Sequence, residues 1–505
     1  MRSKVMVLCL AVSLGPATSG AGRPEAPDRV AGEHVLARFV GSSLIAASFK
    51  VSPDGRRAAY VTQSGDRQIV HVDGTASEPH GAVLAGTPFF SSDSRRVAYG
   101  AKTGDRWSVI VDGSSHGPHQ GILKGSITFS PDGKRLAYGA SVRQSWFVVL
   151  DGTKQKPYKV IRPGPLTFSP DGRRLAYVAR TGHRWLIVVN GTEQKEYDEI
   201  AEGTPVFSPE GKRLAHVARA GAKWLLVVDS EERGPFDKVG APVFSPDGAR
   251  VACVVSAGGR QAVLVDGKEE KLYAAISSGP VFSPDGKRLA YAAMQEDLRQ
   301  LVVLDGKEQK LYHGVRQGSL VFSPDGRRLA YIAALGDKRF VVIDRAEQKH
   351  YTDVVTGSVT FSPDGSRFAY TVKMDEKYAV VLDGVEQKPW DFVGTGTPFF
   401  SADGKHVAWA ARTGRRWYVV VDRKEQGPFD MVGRPAFSPD GRRVAYWTKT
   451  GRYFSVALDG ETRGRYDGMH PQTGIVFDSP ARFRYVALKG RAVSLVTETL
   501  KQGNR

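Results

Sequence analysis

The chain has 505 residues, too many for one ordinary globular core, so its length indicates several domains or a long array of repeats. Its composition, 41% hydrophobic and 25% charged, is that of a soluble folded protein. The 56 glycines recur at regular places, which argues for turns and against disorder.

The N-terminus predicts export. Two basic residues precede a short apolar run, Val5–Leu14, and small residues follow it. This layout is typical of a secretory signal peptide over residues 1–21, cleaved near residues 19–21, and a periplasmic or secreted protein is expected. The alternative is a buried N-terminal helix. No segment is apolar for long enough to span a bilayer, so no membrane span is expected.

A repeat of about 39 residues fills the rest of the chain. "FSPDGKRLAY" occurs unchanged at Phe129–Tyr138 and Phe282–Tyr291, and "FSPDGRRLAY" occurs at Phe168–Tyr177 and Phe322–Tyr331. The acidic residue of each such turn recurs at intervals of 37 to 40 residues through eleven copies, and a weaker twelfth copy begins at Val476. This period is the length of a four-stranded propeller blade.

Each copy is read as four strands. In the copy that starts at Gly125, "SITF" is the first, "RLAYGA" the second, "WFVVL" the third and "PYKVI" the fourth. Pro-Asp-Gly and Asp-Gly supply the turns, and β-branched and aromatic residues supply the strands. No segment keeps a 3.6-residue apolar period, so the predicted fold class is all-β, a β-propeller of twelve four-stranded blades.

The two ends of the chain are expected to close the fold. "ARFVG" at Ala37–Gly41 matches a fourth strand but precedes the first full copy, whereas the last copy stops after its third strand. We therefore expect the N-terminal strand to complete the C-terminal blade and so to remove two exposed edges.

The motif "FSPDG[KR]RLAY" resembles the repeats of the WD-repeat-like propellers of bacterial envelope proteins, the TolB-like family. The resemblance covers roughly residues 37–500 and implies the propeller fold, but the separate N-terminal domain of TolB is missing. Because propellers usually have about four to eight blades, we expect two six-bladed propellers, with one wide ring as the alternative. The predicted segments are a signal peptide (1–21), a linker (22–34), a first propeller (35–275), a second propeller (276–500) and a tail (501–505).

No motif predicts catalysis, a cofactor or a metal. "GSSHG" at Gly113–Gly117 fits the pattern of serine hydrolases but lacks the strand-turn-helix context that the motif needs. His116 and His119 form a pair without further ligands nearby in the sequence. Cys253 is the one cysteine after the signal peptide and lies in an apolar strand, so we expect a buried thiol and no disulfide.

Charge is the main indication of function. The net charge is +18, and a basic pair such as Lys134-Arg135 follows most SPDG turns, which predicts a ring of positive charge. The alternative is that these are solvated turn residues. Nucleic acid is not expected as a partner, because the predicted signal peptide exports the protein.

The turns between second and third strands carry a cation beside an aromatic residue. Such pairs bind sugars, anionic polymers or protein loops, although these tryptophans can equally well pack between blades. The candidate binding residues are Trp107, Trp146, Trp185, Trp224 and Trp417, with Arg106, Arg184, Lys223 and Arg416. The expected function is a non-enzymatic scaffold that binds an envelope protein or an anionic polymer. The alternative is a propeller hydrolase or lyase that acts on a polysaccharide or peptide.

Overall fold

The computed structural model describes residues 29–38, 44–470 and 473–500. Within these residues the regular structure is β-strand, apart from one short 3-10 helix, Ala46–Ser48. The prediction of an all-β chain is therefore confirmed. The predicted signal peptide, residues 39–43 and the tail lie outside the described residues.

Twelve antiparallel sheets follow one another along the chain as blades 1 to 12, and the predicted β-propeller fold with four-stranded blades is confirmed. The second strands are Ala58–Ser64, Val97–Thr103, Leu136–Val142, Leu175–Thr181, Leu214–Ala220, Val251–Ala257, Leu289–Met294, Leu329–Leu335, Phe368–Met374, Val407–Thr413, Val444–Thr450 and Arg482–Lys489. The third strands are Arg67–Val72, Arg106–Val111, Ser145–Leu150, Arg184–Val189, Lys223–Val228, Arg260–Val265, Gln300–Leu304, Lys338–Ile343, Lys377–Leu382, Arg416–Val421, Tyr453–Leu458 and Ala492–Leu500.

The outer strands of blades 1 to 11 are shorter in most blades. They are Thr75–Ala76, Ser114–His119, Thr153–Lys154, Thr192–Glu193, Glu231–Phe236, Lys268–Glu269, Lys307–Glu308, Ala346–Glu347, Val385–Glu386, Lys424–Phe429 and Glu461–Tyr466.

The inner strand is continuous in blade 7, at Ala275–Phe282, and is one short segment in blade 1, Lys50–Val51. In the other blades it forms two segments on the same second strand. These are Ala82–Val83 and Phe89–Phe90, Gly121–Ile122 and Thr128–Phe129, Val160–Ile161 and Thr167–Phe168, Glu199–Ile200 and Val206–Phe207, Lys238–Val239 and Val243–Phe244, Gly314–Val315 and Val321–Phe322, Asp353–Val354 and Thr360–Phe361, Phe392–Val393 and Phe399–Phe400, Met431–Val432 and Ala436–Phe437, and Gly468–Met469 and Ile475–Ser479.

The predicted fourth strand "PYKVI" is divided between two blades. The outer strand of blade 3 is Thr153–Lys154, and its pairing with the third strand resumes as a single bridge from Tyr158 to Trp146. Val160–Ile161 instead pairs with the second strand of blade 4. Each linker therefore leaves the outer edge of one blade and becomes the inner edge of the next.

The prediction that an N-terminal strand completes the last blade is confirmed, with a different start. Arg29–Arg38 pairs antiparallel with Ala492–Leu500, from Arg29 opposite Leu500 to Arg38 opposite Ala492. The strand includes residues 29–34, which were expected to be linker. Of the predicted segment only Ala37 and Arg38 lie among the described residues.

The chain divides into two compact units. One contains blades 1, 2 and 12, and the other, Leu123–Arg465, contains blades 3 to 11. Inside each unit the hydrophobic core lies between adjacent blades: Leu36, Tyr60 and Leu495 join blades 12 and 1, for example, and Tyr158 and Tyr177 join blades 3 and 4. Second strands are therefore apolar on both sides. The grouping into six and six blades stays a prediction.

Candidate binding surfaces

Each SPDG turn is held by its own side chains. In blade 3 the Ser130 hydroxyl donates to Asp132 Oδ1 at 2.5 Å, and the amide of Lys134 donates to the same oxygen at 3.2 Å. The amide of Gly133, at a φ of 73°, donates to the Ser130 carbonyl at 2.8 Å. The hydrogen bond from Ser130, followed by that from Lys134, holds the pKa of Asp132 below its usual value. The SPDG aspartates are therefore structural parts of the turn.

The second residue of each basic pair joins its own blade to the next. Arg135 Nε donates to Asp151 Oδ2 at 2.8 Å, and Arg135 Nη1 donates to the carbonyl oxygen of Arg173 in blade 4 at 2.9 Å. Its guanidinium also lies over the Phe168 ring, 5.9 Å from the centroid. Asp151 lies in the turn after the third strand. Both turns thus lie at one end of the blade, which we call the SPDG end.

This ion pair recurs around the fold and changes the charge expected at the SPDG ends. The other pairs are Arg57–Asp73, Arg96–Asp112, Arg213–Asp229, Arg250–Asp266, Arg288–Asp305, Arg328–Asp344, Arg367–Asp383, His406–Asp422 and Arg443–Asp459. Most basic pairs face two carboxylates, one in the SPDG turn and one in this ion pair, whereas in blade 4 Asn190 stands in place of the second carboxylate. The turns therefore do not supply the net positive charge that the sequence predicted for them. The first residue of the pair projects into solvent, as in Lys134, whose side chain is 81% exposed.

A second ladder connects the outer strands. Lys310 Nζ lies 2.6 Å from Glu347 Oε1 of the next blade, and its ammonium is 5.8 Å from the centroid of the Tyr312 ring. Equivalent pairs are Lys156–Glu193, Lys195–Glu232, Lys271–Glu308, Lys349–Glu386 and Lys388–Glu425. The "GKEQK" loops therefore use their charges between blades.

A third ladder lies at the opposite end of the blades, at the turns between second and third strands, which we call the TG end. Asp237 accepts a salt bridge from Lys223 of its preceding blade and a 2.9 Å hydrogen bond from the Gly258 amide of blade 6. Asp430 does the same with Arg416 and Gly451. These aspartates were not singled out from the sequence, although their recurrence directly after the aromatic residue of the GPF and QKxY motifs is a usable signal.

The predicted cations of the TG ends are exposed, but three of the four have acidic partners. Lys223 and Arg416 pair with the aspartates just described, and Arg184 Nη1 lies 3.6 Å from Asp198 Oδ1. Arg106 has no ion pair within the described residues. The cations that the sequence assigned to a ligand are therefore largely used to connect blades.

The predicted tryptophans begin third strands and are half-buried. Trp146, Trp185 and Trp224 pack against the apolar clusters between blades, and Trp417 contacts Phe392 edge-on at 5.8 Å between centroids. Trp107 has the same strand position in blade 2. These side chains contribute to the core and leave only part of each ring exposed.

Trp185 differs from the others because two guanidinium groups lie over its ring. Arg162 Cζ is 5.1 Å and Arg180 Cζ is 5.3 Å from the ring centroid. Arg162 also donates to the carbonyl oxygens of Ile200 and Ala201 in blade 5, at 2.5 and 3.1 Å. Two guanidinium groups therefore contact the Trp185 ring, and they leave little of its face open for stacking on a sugar.

The remaining residues that the sequence analysis considered lie within strands. His116 and His119 lie on the outer strand Ser114–His119 of blade 2, which also takes up most of "GSSHG". Cys253 is fully buried, and burial raises the pKa of its thiol to about 12. Among the described residues no group of three or more His, Cys, Asp and Glu side chains is placed to hold a metal ion. In the same part of the chain no helix is long and apolar enough to cross a membrane.

Twelve four-stranded blades define the chain as a β-propeller protein. No family model matches the chain, and no curated protein matches it in sequence. It is similar to a solved eukaryotic initiation factor, with 13% identity over 60% of this chain and 87% of that one and a TM-score of 0.32. It is also similar to the β-propeller domain of the Trilobed protease from Pyrococcus furiosus, with 18% identity over 54% and 99% and a TM-score of 0.26.

A third similar structure is TolB from Acinetobacter baumannii, with 15% identity over 59% of this chain and 86% of that one and a TM-score of 0.22. One of these similar structures is itself a β-propeller domain. Likeness at this level carries no argument about activity, and membership of the TolB-like family stays a prediction.

Proposed function

We propose that this β-propeller is an exported, non-enzymatic scaffold that binds an anionic partner, either an envelope protein or a polymer, through blades 3 and 4. The observation that supports the proposal is where the positive charge lies. Between Gln120 and Tyr197 the chain has thirteen Lys and Arg but only five Asp and Glu. The ladders pair some of these cations, such as Arg135 with Asp151 and Lys156 with Glu193, but the excess of eight cations over carboxylates remains.

The ladders also make the frame suitable for binding. Blade 3 is connected to blade 4 at the SPDG end and at the outer edge, and blade 4 is connected to blade 5 at the SPDG end, at the outer edge and at the TG end. A localised excess of positive charge attracts anionic partners over about one Debye length, roughly 8 Å at physiological salt.

A pull-down from an envelope extract tests the binding proposal. The wild-type protein is expected to capture a partner at low salt and to release it at high salt, because exposed charges act through a screened field. Capture that is unchanged by salt would contradict an electrostatic interface. Degradation of the captured polymer or peptide during incubation would favour the alternative of a propeller hydrolase or lyase.

Export is tested separately. Removal of residues 1–21 is expected to leave the protein in the cytoplasm, as judged by cell fractionation beside the full-length protein. Unchanged export of the truncated protein would contradict the assignment of the signal peptide.

A further inference from the structure

Blade 4 lacks acidic residues that blade 5 has at equivalent positions. Lys159 and Val160 follow Tyr158, whereas Asp198 and Glu199 follow Tyr197. Both tyrosines make the same bridge, to Trp146 and Trp185 respectively, which fixes the equivalence. At the TG end, blade 4 therefore has one cation and one valine where blade 5 has two carboxylates.

The first consequence concerns Arg180. In blade 5 the equivalent Arg219 donates from Nε to Glu199 Oε2 at 3.0 Å. In blade 4 Val160 lies opposite Arg180 in the register, and Arg180 Nε is buried without a hydrogen-bond partner among the described residues. A buried donor without a partner costs free energy that an added acceptor recovers. Arg180 therefore lacks the carboxylate partner that Arg219 has, and its side chain as a whole is only half-buried.

The second consequence concerns Arg162, which shares the Trp185 ring with Arg180. Its two hydrogen-bond acceptors are backbone carbonyls, so no carboxylate is hydrogen-bonded to it. Burial lowers its pKa, and the nearby Glu199 and Glu202 oppose that effect. These two carboxylates bound the site on the side of blade 5, so an anionic ligand extends toward blade 3.

Blade 3 continues the positive surface in that direction. Lys124 and Lys159 are exposed and have no ion pair in the described part of the chain. A Cβ built on Gly125 would lie 3.9 Å from Gly164 Cα, so the loop after Lys124 touches the loop after Arg162. Lys124 thus precedes a loop that contacts the loop after Arg162, and Lys159 precedes Val160, the register partner of Arg180, so that four cations without an ion pair among the described residues belong to two neighbouring blades.

We infer that the inner strands of blades 3 and 4, with the adjoining TG end of blade 4, bind a linear anionic polymer, whose oxyanion groups contact Arg162 and Arg180 beside Trp185 and then Lys159 and Lys124. This inference rests on the proposed function and names the class of ligand. A linear polymer is favoured because the cations are distributed along two blades, whereas a single small anion would contact only one or two of them. A guanidinium donates well to phosphate, sulfate and carboxylate alike.

The test restores the acidic residue of blade 5 to blade 4. In Val160→Glu the new carboxylate is expected to pair with Arg180 as Glu199 pairs with Arg219, so the melting temperature is unchanged or slightly raised. Affinity for labelled linear polyphosphate and for labelled polygalacturonate, measured by fluorescence anisotropy, is expected to fall roughly tenfold. The slope of a plot of log affinity against log salt concentration is expected to decrease in magnitude by about one.

Two variants complete the test. Ala275→Glu places the same charge at the equivalent position of blade 7 and is expected to change affinity less than about twofold. Lys159→Gln removes an exposed charge without a packing role and is expected to weaken binding severalfold. The stronger of the two polymer probes identifies phosphate or carboxylate as the preferred group.

Equal losses in Val160→Glu and Ala275→Glu would overturn the inference, because only net charge would then matter. Failure of the wild-type protein to bind either polymer at low salt would also overturn it. If the pull-down nevertheless captured an acidic protein in a salt-dependent way, the proposed scaffold function would stand and the polymer inference would be rejected.

Discussion

The N-terminal strand offers the sharpest test of how the last blade is held. Leu36 is 4% exposed and packs with Tyr60 of blade 1 and with Val486 and Leu495 of blade 12. Val30 lies on the same strand but is 54% exposed. The two residues therefore share a backbone ladder and differ in burial.

Replacement of Leu36 by Ala is expected to cost about 2–5 kcal/mol, because it removes a buried side chain and leaves a cavity between blades 12 and 1. Replacement of Val30 by Ala is expected to cost about half a kcal/mol or less. A loss of about 2 kcal/mol in the free energy of opening corresponds to roughly 30-fold faster exchange of the amides that the opening exposes.

Hydrogen exchange read by mass spectrometry on peptides that cover 482–500 measures this difference, with urea unfolding as the global control. Exchange in those peptides is expected to accelerate in Leu36→Ala and to stay near the wild-type rate in Val30→Ala. If both variants exchange at the same rate, the N-terminal strand does not hold the last blade through Leu36, and the closure must depend on backbone pairing alone.

Three further outcomes are expected. Asn190→Asp gives Arg174 the ion-pair partner that Arg213 has in Asp229, and urea unfolding should show a gain in stability of up to about 1 kcal/mol. A loss of stability would mean that the backbone carbonyls to which Arg174 donates already satisfy it. Trp185→Ala should cost about 2–3 kcal/mol, less than a fully buried tryptophan, and should also weaken binding of the polyanion; full stability of the variant would contradict the packing described for this ring. Acid should destabilise the protein. Hydrogen bonds, first those from Ser362 and Ser366, lower the pKa of Asp364 from 3.8 to about 2. The stabilisation from this carboxylate is therefore complete above its ordinary pKa of 3.8 and is lost as the pH falls toward 2. A melting temperature that stays constant between pH 4 and pH 2 would contradict this assignment.

The strands that the sequence predicted well are those whose signals are local. The second and third strands of blade 3 follow from short apolar runs, β-branched and aromatic residues and a turn on either side, and Tyr138 lies opposite Val149 in the hairpin that this pattern indicates. The repeat predicted the rest of the architecture, because the strand assignment of one copy applies to all twelve copies.

The features that the sequence did not predict depend on the neighbouring blade. The role of Arg135 requires the position of a carbonyl in blade 4, and the division of "PYKVI" depends on which second strand Val160 meets. The candidate site also depends on contacts with a neighbouring blade. Arg184 was predicted as a binding residue from its place beside Trp185, but its partner Asp198 lies in the linker that leads to blade 5. The acceptor that Arg180 lacks is visible only by comparison with Arg219.

The pairing of Arg29–Arg38 with Ala492–Leu500 also orders the events of folding. The two strands are about 450 residues apart, so their closure costs about 3 kcal/mol more chain entropy than the closure of a ten-residue hairpin. Blades whose strands are local in sequence can form early, while Arg29–Arg38 waits until Ala492–Leu500 is in place. Throughout that interval both strands present free edges, and two copies that meet then can exchange their first strands and form a domain-swapped dimer.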